Sequence, residues 1–128
     1  MYDRTMSDWL LYIAAGLLGI TGALHSLLGE RRLIAPLLSS REGILDSELA
    51  RFIIRFAWHL TSVTWAVLAL VLIQLAHDAV TARWWAAAST GAAFTGFGLF
   101  DLFYSRGRHV GWPLLTGIGV AALLSLAL

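Results

Sequence analysis

His25, Glu30, His59, Asp101 and His109 are the residues of this chain whose types suit acid–base or metal chemistry. Each stands in or beside an apolar run. His25 closes the first run, and Gly29-Glu30-Arg31-Arg32 follows at once. His59 belongs to a series Arg51, Arg55, His59, Ser62, whose spacing makes one polar stripe on a helix. Asp101 lies about one turn from the end of the third run, and His109 opens the fourth. Imidazole and carboxylate without thiolate suit Zn, Mn or Fe. His25, His59, Asp101 and Glu30 are therefore candidate ligands of a divalent metal held between facing helices. Such an ion would activate water or polarise a carbonyl. Paired histidines on two helices are also the arrangement that holds haem. Arg51, Arg55 and His109 are candidate contacts for an anionic group, phosphate or carboxylate.

Plainer roles exist for the same residues. Asp101 can pair with Arg55 or Arg106, Glu30 with its neighbouring arginines, and the histidines can serve as interhelical hydrogen bonds, with His109 in solvent. No short motif decides the matter. There is no His-Glu-x-x-His, no Glu-x-x-His and no Gly-x-Ser-x-Gly. Ser26 adjoins His25 on one helix but points off its face, so those two do not read as nucleophile and base. Cysteine is absent, which excludes disulfides and thiolate chemistry.

The elements that must position these residues are apolar helices. Hydrophobic residues make up 59% of the 128 and charged residues 13%, against about 45–50% and about 25% in soluble domains. The expected architecture is an all-α integral membrane four-helix bundle, a single domain with spans at about 9–28, 49–76, 84–104 and 110–128. The first run, about 20 residues long, reads as a retained span rather than a cleaved signal. Residues 31–38 are basic, then apolar, and contain Pro36. They are expected to form a short interfacial segment between the first and second spans. Asp46 or Ser47 is expected to cap the second helix. Residues 77–83 read as a polar turn, and Pro113 suits a first helical turn.

Small residues recur along two spans: Ala15, Gly16, Gly19, Gly22 and Ala23 in the first, and Ala88, Ala92 and Gly96 in the third. Such strips admit close helix approach, and they are the expected faces for a homo-oligomer. Phe94, Phe97, Phe100 and Phe103 form an aromatic strip. The tryptophans, Trp58 and Trp65 included, read as interfacial anchors away from the polar stripe.

All nine basic residues are arginine. Arg31, Arg32, Arg41, Arg51, Arg55, Arg106 and Arg108 fall on one side of the expected topology and Arg4 and Arg83 on the other. That bias places the first and third connections in the cytoplasm and both termini outside a plasma or inner membrane. Membrane lipids are the expected partners. The arginines form no tract interleaved with aromatics, so no nucleic-acid surface is expected.

In size and span number the chain is similar to small multidrug-resistance transporters. It departs from them because its first span carries no mid-span carboxylate and its arginines are strongly biased, and the assignment is rejected. Three function classes follow: a metal- or cofactor-binding membrane protein with a cytoplasmic-side His/carboxylate site, catalytic or not; a small proton-coupled carrier; and a non-catalytic subunit that stabilises a larger membrane complex.

Overall fold

The computed structural model describes residues 6–127, and all the regular structure among them is helical. Arg4, counted in the arginine bias, and Leu128, the expected end of the last span, lie outside the described residues. Helix α1 covers Met6–Gly29. It does not stop before the basic segment. A π-turn at Glu30–Ile34 carries the chain into α2, Ala35–Ser39, with Gly29, Ile34 and Ala35 all in right-handed helical geometry. The segment expected to be a separate interfacial piece is thus a continuation of α1. Pro36 explains the π-turn. It has no N–H, and its ring would collide with the carbonyl four residues back. Widening the turn just upstream, where the Ala35 N–H reaches the Glu30 carbonyl, relieves that collision.

The Ser39 and Ser40 hydroxyls donate to the Pro36 and Leu37 carbonyls at 2.7 and 2.9 Å and end α2. Arg41 follows with φ +51°, and a 3₁₀ turn spans Gly43–Asp46. Ser47 caps α3, Glu48–His77, by accepting from the Ala50 N–H at 3.4 Å. The polar turn expected at 77–83 shrinks to Asp78. Its N–H donates to the Gln74 carbonyl at 2.8 Å, and its carboxylate accepts from the Val80 N–H at 2.9 Å. Both helix ends are satisfied by this residue, so α4, Ala79–Ser105, starts at once.

Helix α4 ends in a Schellman arrangement, with Gly107 N–H donating to the Leu102 carbonyl and Arg106 N–H to that of Phe103. Arginine rather than glycine occupies the left-handed position, with φ +53°. Left-handed backbone costs an L-residue about 1–2 kcal/mol, so Arg41 and Arg106 are both held at a cost. Helix α5, Trp112–Leu124, carries Pro113 in its first turn.

The helices pack in chain order: α1 on α3, α3 on α4, α4 on α5. Helices α1 and α5 share no comparable interface, so the four long helices form an open row instead of a closed bundle. Glycine sets both outer seams. A methyl group on Gly98 or Gly119 would overlap Thr116 or Thr95, and Gly91 faces Leu123 and the Gly119 carbonyl. These glycines bring α4 and α5 together, while Gly96, of the strip expected on this helix, faces open space. On α1, Ala15 is buried and Gly22 lies against α3, while Gly16 and Gly19 face open space.

Burial is inverted relative to a soluble core. The buried apolar residues are Ala15, Ala69, Ala76, Ala82, Ile34, Leu38 and Phe56. Leu10, Ile13, Leu17, Ile20, Leu24 and Leu27, at helical spacing along one face of α1, remain 51–61% exposed. Two continuous helices, Asp8–Ser39 and Glu48–His77, are long and apolar enough to cross a membrane. The other two expected spans do not meet the same standard. Helix α4 carries Ser89, Thr90, Thr95 and Asp101 among its apolar residues, and the 13 residues of α5 reach only about 20 Å.

Candidate functional site

The polar stripe of α3 faces α1. Gly22 and Gly29 on α1 leave room for it: a methyl at Gly22 would lie 3.6 Å from the Ser62 carbonyl, and one at Gly29 would overlap the Trp58 indole. Trp58 fills the space beside Gly29. Its Nε1–H donates to the His25 carbonyl at 3.1 Å, and its ring stacks on the His25 imidazole with centroids 4.0 Å apart at 11°. Trp65 meets the same imidazole edge-on at 5.0 Å. These two tryptophans are therefore the walls of a slot around His25.

Within the seam, five side chains form one unbroken hydrogen-bonded chain. His25 Nδ1 lies 2.9 Å from Ser62 Oγ, Ser62 Oγ 3.1 Å from Ser26 Oγ, and Ser26 Oγ 2.8 Å from His59 Nδ1. His59 Nε2 lies 3.2 Å from Glu30 Oε2, and the other Glu30 oxygen pairs with Arg55 Nη2 at 2.9 Å. Glu30 sits at the start of the π-turn, and its carboxylate meets α3 at His59 and Arg55. Arg51, at the end of the stripe, donates from Nη1 to the Leu45 and Asp46 carbonyls at 2.6 and 2.9 Å, tying α3 to the 3₁₀ turn.

Asp101 and His109 form a separate pair. Asp101 is fully buried, and its Oδ2 accepts from His109 Nδ1 at 2.6 Å, while Oδ1 has no partner. The pairing with Arg55 or Arg106 anticipated for Asp101 is not formed, and His109 is not left to solvent. Its ring also stands edge-on to Phe56 at 6.3 Å.

The four candidate metal ligands are thus divided. Glu30 and His59 touch, His25 is joined to them only through two serines, and Asp101 belongs to the other pair. Among the described residues no three His, Asp or Glu side chains come together as a group able to hold a metal ion. Both His59 ring nitrogens already have protein partners, and a haem would need one of them as axial ligand.

Ser26, Ser62, Trp58 and Gly29 take parts in this seam that the sequence did not assign to them: two links between histidines, a stacked ring, and the space that admits it. A signal for Ser26 was present. It lies four residues before Glu30, so both share one face of α1, as His59 and Ser62 share one face of α3. The partner of Ser26 is a histidine on the other helix, which no local spacing reveals.

The seam opens on a cavity of about 1500 Å³ between α2, α3 and α4, lined at this end by His59 and Arg55. Phe52 and Tyr104 stack across it at 4.4 Å, and Phe56 lies 5.5 Å from Phe97. Compared with known protein families, curated proteins and solved structures, the chain gives no match.

Proposed function

We propose that this chain is a small integral membrane protein whose α1–α3 seam is an acid–base centre serving a ligand in the adjoining cavity. The inverted burial supports the membrane setting. Full burial of a leucine or isoleucine stabilises a soluble protein by about 1.5–3 kcal/mol. Leaving six of them roughly half exposed on α1 forgoes on the order of 5–10 kcal/mol, comparable to the whole stability of a typical domain. Lipid chains against that face remove the deficit. The arginine bias orients residues 29–47 and 105–111 to the cytoplasmic side.

The observation that carries the acid–base reading is the unbroken chain His25–Ser62–Ser26–His59–Glu30. Its hydrogen bonds can point either way. With His59 as imidazolium, Nε2–H donates to Glu30 and Nδ1–H to Ser26; Ser26 donates to Ser62 and Ser62 to His25 Nδ1. When His59 gives up its Nδ1 proton, each hydroxyl passes one proton on, and His25 gains one. Charge moves from the cavity-facing imidazole to the one in the tryptophan slot without any heavy atom moving far. Glu30 and Arg55 hold the cavity end.

Length separates this reading from a proton channel. From Arg55 to Ser62 the network covers about 10 Å along α3, against about 30 Å of hydrocarbon. A relay of that reach suits chemistry at one end of the protein better than conduction across the bilayer. A metal centre has less support, because no three candidate ligands converge.

The test is histidine NMR on ¹⁵N-labelled protein in nanodiscs. Coupling through the relay predicts that His59→Gln shifts the His25 ring resonances and that Ser26→Ala removes this effect. His25 resonances indifferent to His59→Gln in the otherwise unaltered chain would sink the relay.

A second reading is favoured by one specific feature, the order Ser26 Oγ, His59, Glu30, which is that of nucleophile, base and orienting carboxylate. In it Ser26 Oγ attacks an ester carbonyl and its proton passes to His59 Nδ1. The imidazolium then returns that proton to the leaving alcohol. Labelling by a fluorophosphonate probe that disappears in Ser26→Ala supports this reading, and absence of labelling rejects it.

A further inference from the structure

We infer that the cavity between α2, α3 and α4 is a binding site for one anionic phospholipid, with Arg41 and Arg106 clamping its phosphate and its acyl chain lying along α4. The inference rests on the membrane setting proposed above but not on the relay.

Three observations carry it. The first is charge. Five arginines, Arg41, Arg51, Arg55, Arg106 and Arg108, line the cavity against one carboxylate, Glu48. Three of the five are engaged: Arg51 with the Leu45 and Asp46 carbonyls, Arg55 with Glu30, and Arg108 through Nε with the Ser105 carbonyl at 3.1 Å. Arg41 and Arg106 have no ion-pair partner among the described residues.

The second is backbone strain. Arg41 and Arg106 are the non-glycine residues with positive φ among those described, at +51° and +53°, and both line this cavity, one after α2 and the other after α4. They end α2 and α4, at positions where glycine would relieve the strain. Strain kept at a charged residue on a cavity wall points to a role for the side chain.

The third is the lengthwise gradient. Along α4 the lining changes from Arg106 through Tyr104, Phe100 and Phe97 to Gly96, Ala93 and Ala92. From residue 105 to residue 92 is about 20 Å of helix. One leaflet of hydrocarbon is about 15 Å deep, so the wall accommodates one acyl chain with the phosphate at the arginine end. The volume of about 1500 Å³ exceeds the roughly 300–1,000 Å³ of pockets for drug-sized ligands. A free phosphate or a soluble metabolite would leave the aromatic and alanine end unfilled.

The experiment is native mass spectrometry of the full chain, released from nanodiscs of phosphatidylcholine with or without phosphatidylglycerol. A glycerol 3-phosphate titration provides the headgroup alone. The unaltered protein is expected to retain one phosphatidylglycerol and to ignore both phosphatidylcholine and glycerol 3-phosphate. Arg41→Gly with Arg106→Gly removes the clamp and the strain together. It is expected to lower phosphatidylglycerol retention about 30-fold while leaving thermal stability equal or higher. Gly96→Leu, whose side chain enters open space, is expected to exclude the lipid with the fold intact. Arg31→Gln with Arg32→Gln, outside the cavity, is expected to retain it. Unchanged retention in the double glycine variant or in Gly96→Leu overturns the assignment, and so does equal binding of glycerol 3-phosphate. Ser26→Ala is expected to retain the lipid. Its loss there would place the lipid on the α1–α3 seam and overturn the cavity site, whereas failure of the relay in the NMR test leaves this result standing.

Discussion

Gly29→Ala tests the α1–α3 seam directly. Gly29 has φ −64° and ψ −43°, so alanine suits the backbone, and on helix propensity alone the change should stabilise by about 1 kcal/mol. The seam reverses that sign. The added methyl would overlap the Trp58 indole and stand 2.8 and 2.9 Å from its Cε2 and Nε1. The ring cannot retreat freely, since it is stacked on His25 and bonded to the His25 carbonyl. Displacing it costs about 1 kcal/mol for the hydrogen bond, about 1 for the stacking and about 1–3 for overpacking. The net expectation is a loss of about 3 kcal/mol. Trp58→Phe removes the five-membered ring and the far edge of the indole. In that background Gly29→Ala should therefore be neutral or stabilising, giving a coupling of about 3–4 kcal/mol in a double-mutant cycle. The assay is reversible unfolding of the four proteins in one detergent. An equal effect of Gly29→Ala in both backgrounds would refute the argument, because it would show that the methyl does not meet the indole.

Two further predictions concern the other seam and the buried pair. Gly119→Ala should cost about 2–4 kcal/mol, because its methyl meets the backbone N–H of Thr95 and lies 2.8 Å from the Gly91 carbonyl, neither of which can rotate away. Gly117→Ala on the same helix, facing open space, should gain up to about 1 kcal/mol, and thermal unfolding compares the two. Asp101→Ala should cost about 3–5 kcal/mol by leaving His109 without its buried partner, and Asp101→Asn less, since a carboxamide oxygen still accepts from Nδ1–H. Equal losses in the two Asp101 variants, measured in the same way, would count against that hydrogen bond.

Periodicity and composition made much of the scaffold legible. The four apolar runs correspond to α1, α3, α4 and α5, and Ser47 and Pro113 stand where capping and first-turn rules put them. The Arg51–Arg55–His59–Ser62 spacing marked one face of α3, and that face meets other polar groups along its whole length. Residues 31–38, basic, then apolar and containing Pro36, suggested a short interfacial segment. The chain answered with a π-turn, which keeps the helix continuous by accepting the Ala35 N–H one carbonyl further back. One residue, Asp78, suffices between α3 and α4, because it satisfies both helix ends.

Local rules determine which faces are polar, apolar or small, because side-chain direction within a helix follows from spacing alone. Which face meets which neighbour is settled by packing across the row, and there the sequence is silent. Gly16 and Gly22 look equivalent in the chain, yet one faces open space and the other α3. In the sequence Asp101 and His59 group as candidate ligands of one site. In the structure His59 meets Ser26 and Glu30 across the α1–α3 seam, whereas Asp101 meets His109 beyond the end of its own helix. The spacing of Ser26 and Ser62 puts each on the polar face of its own helix, and they join His25 to His59 only because α1 and α3 approach closely at Gly22 and Gly29. Distance between helices is a tertiary quantity, and the chemistry of this seam depends on it.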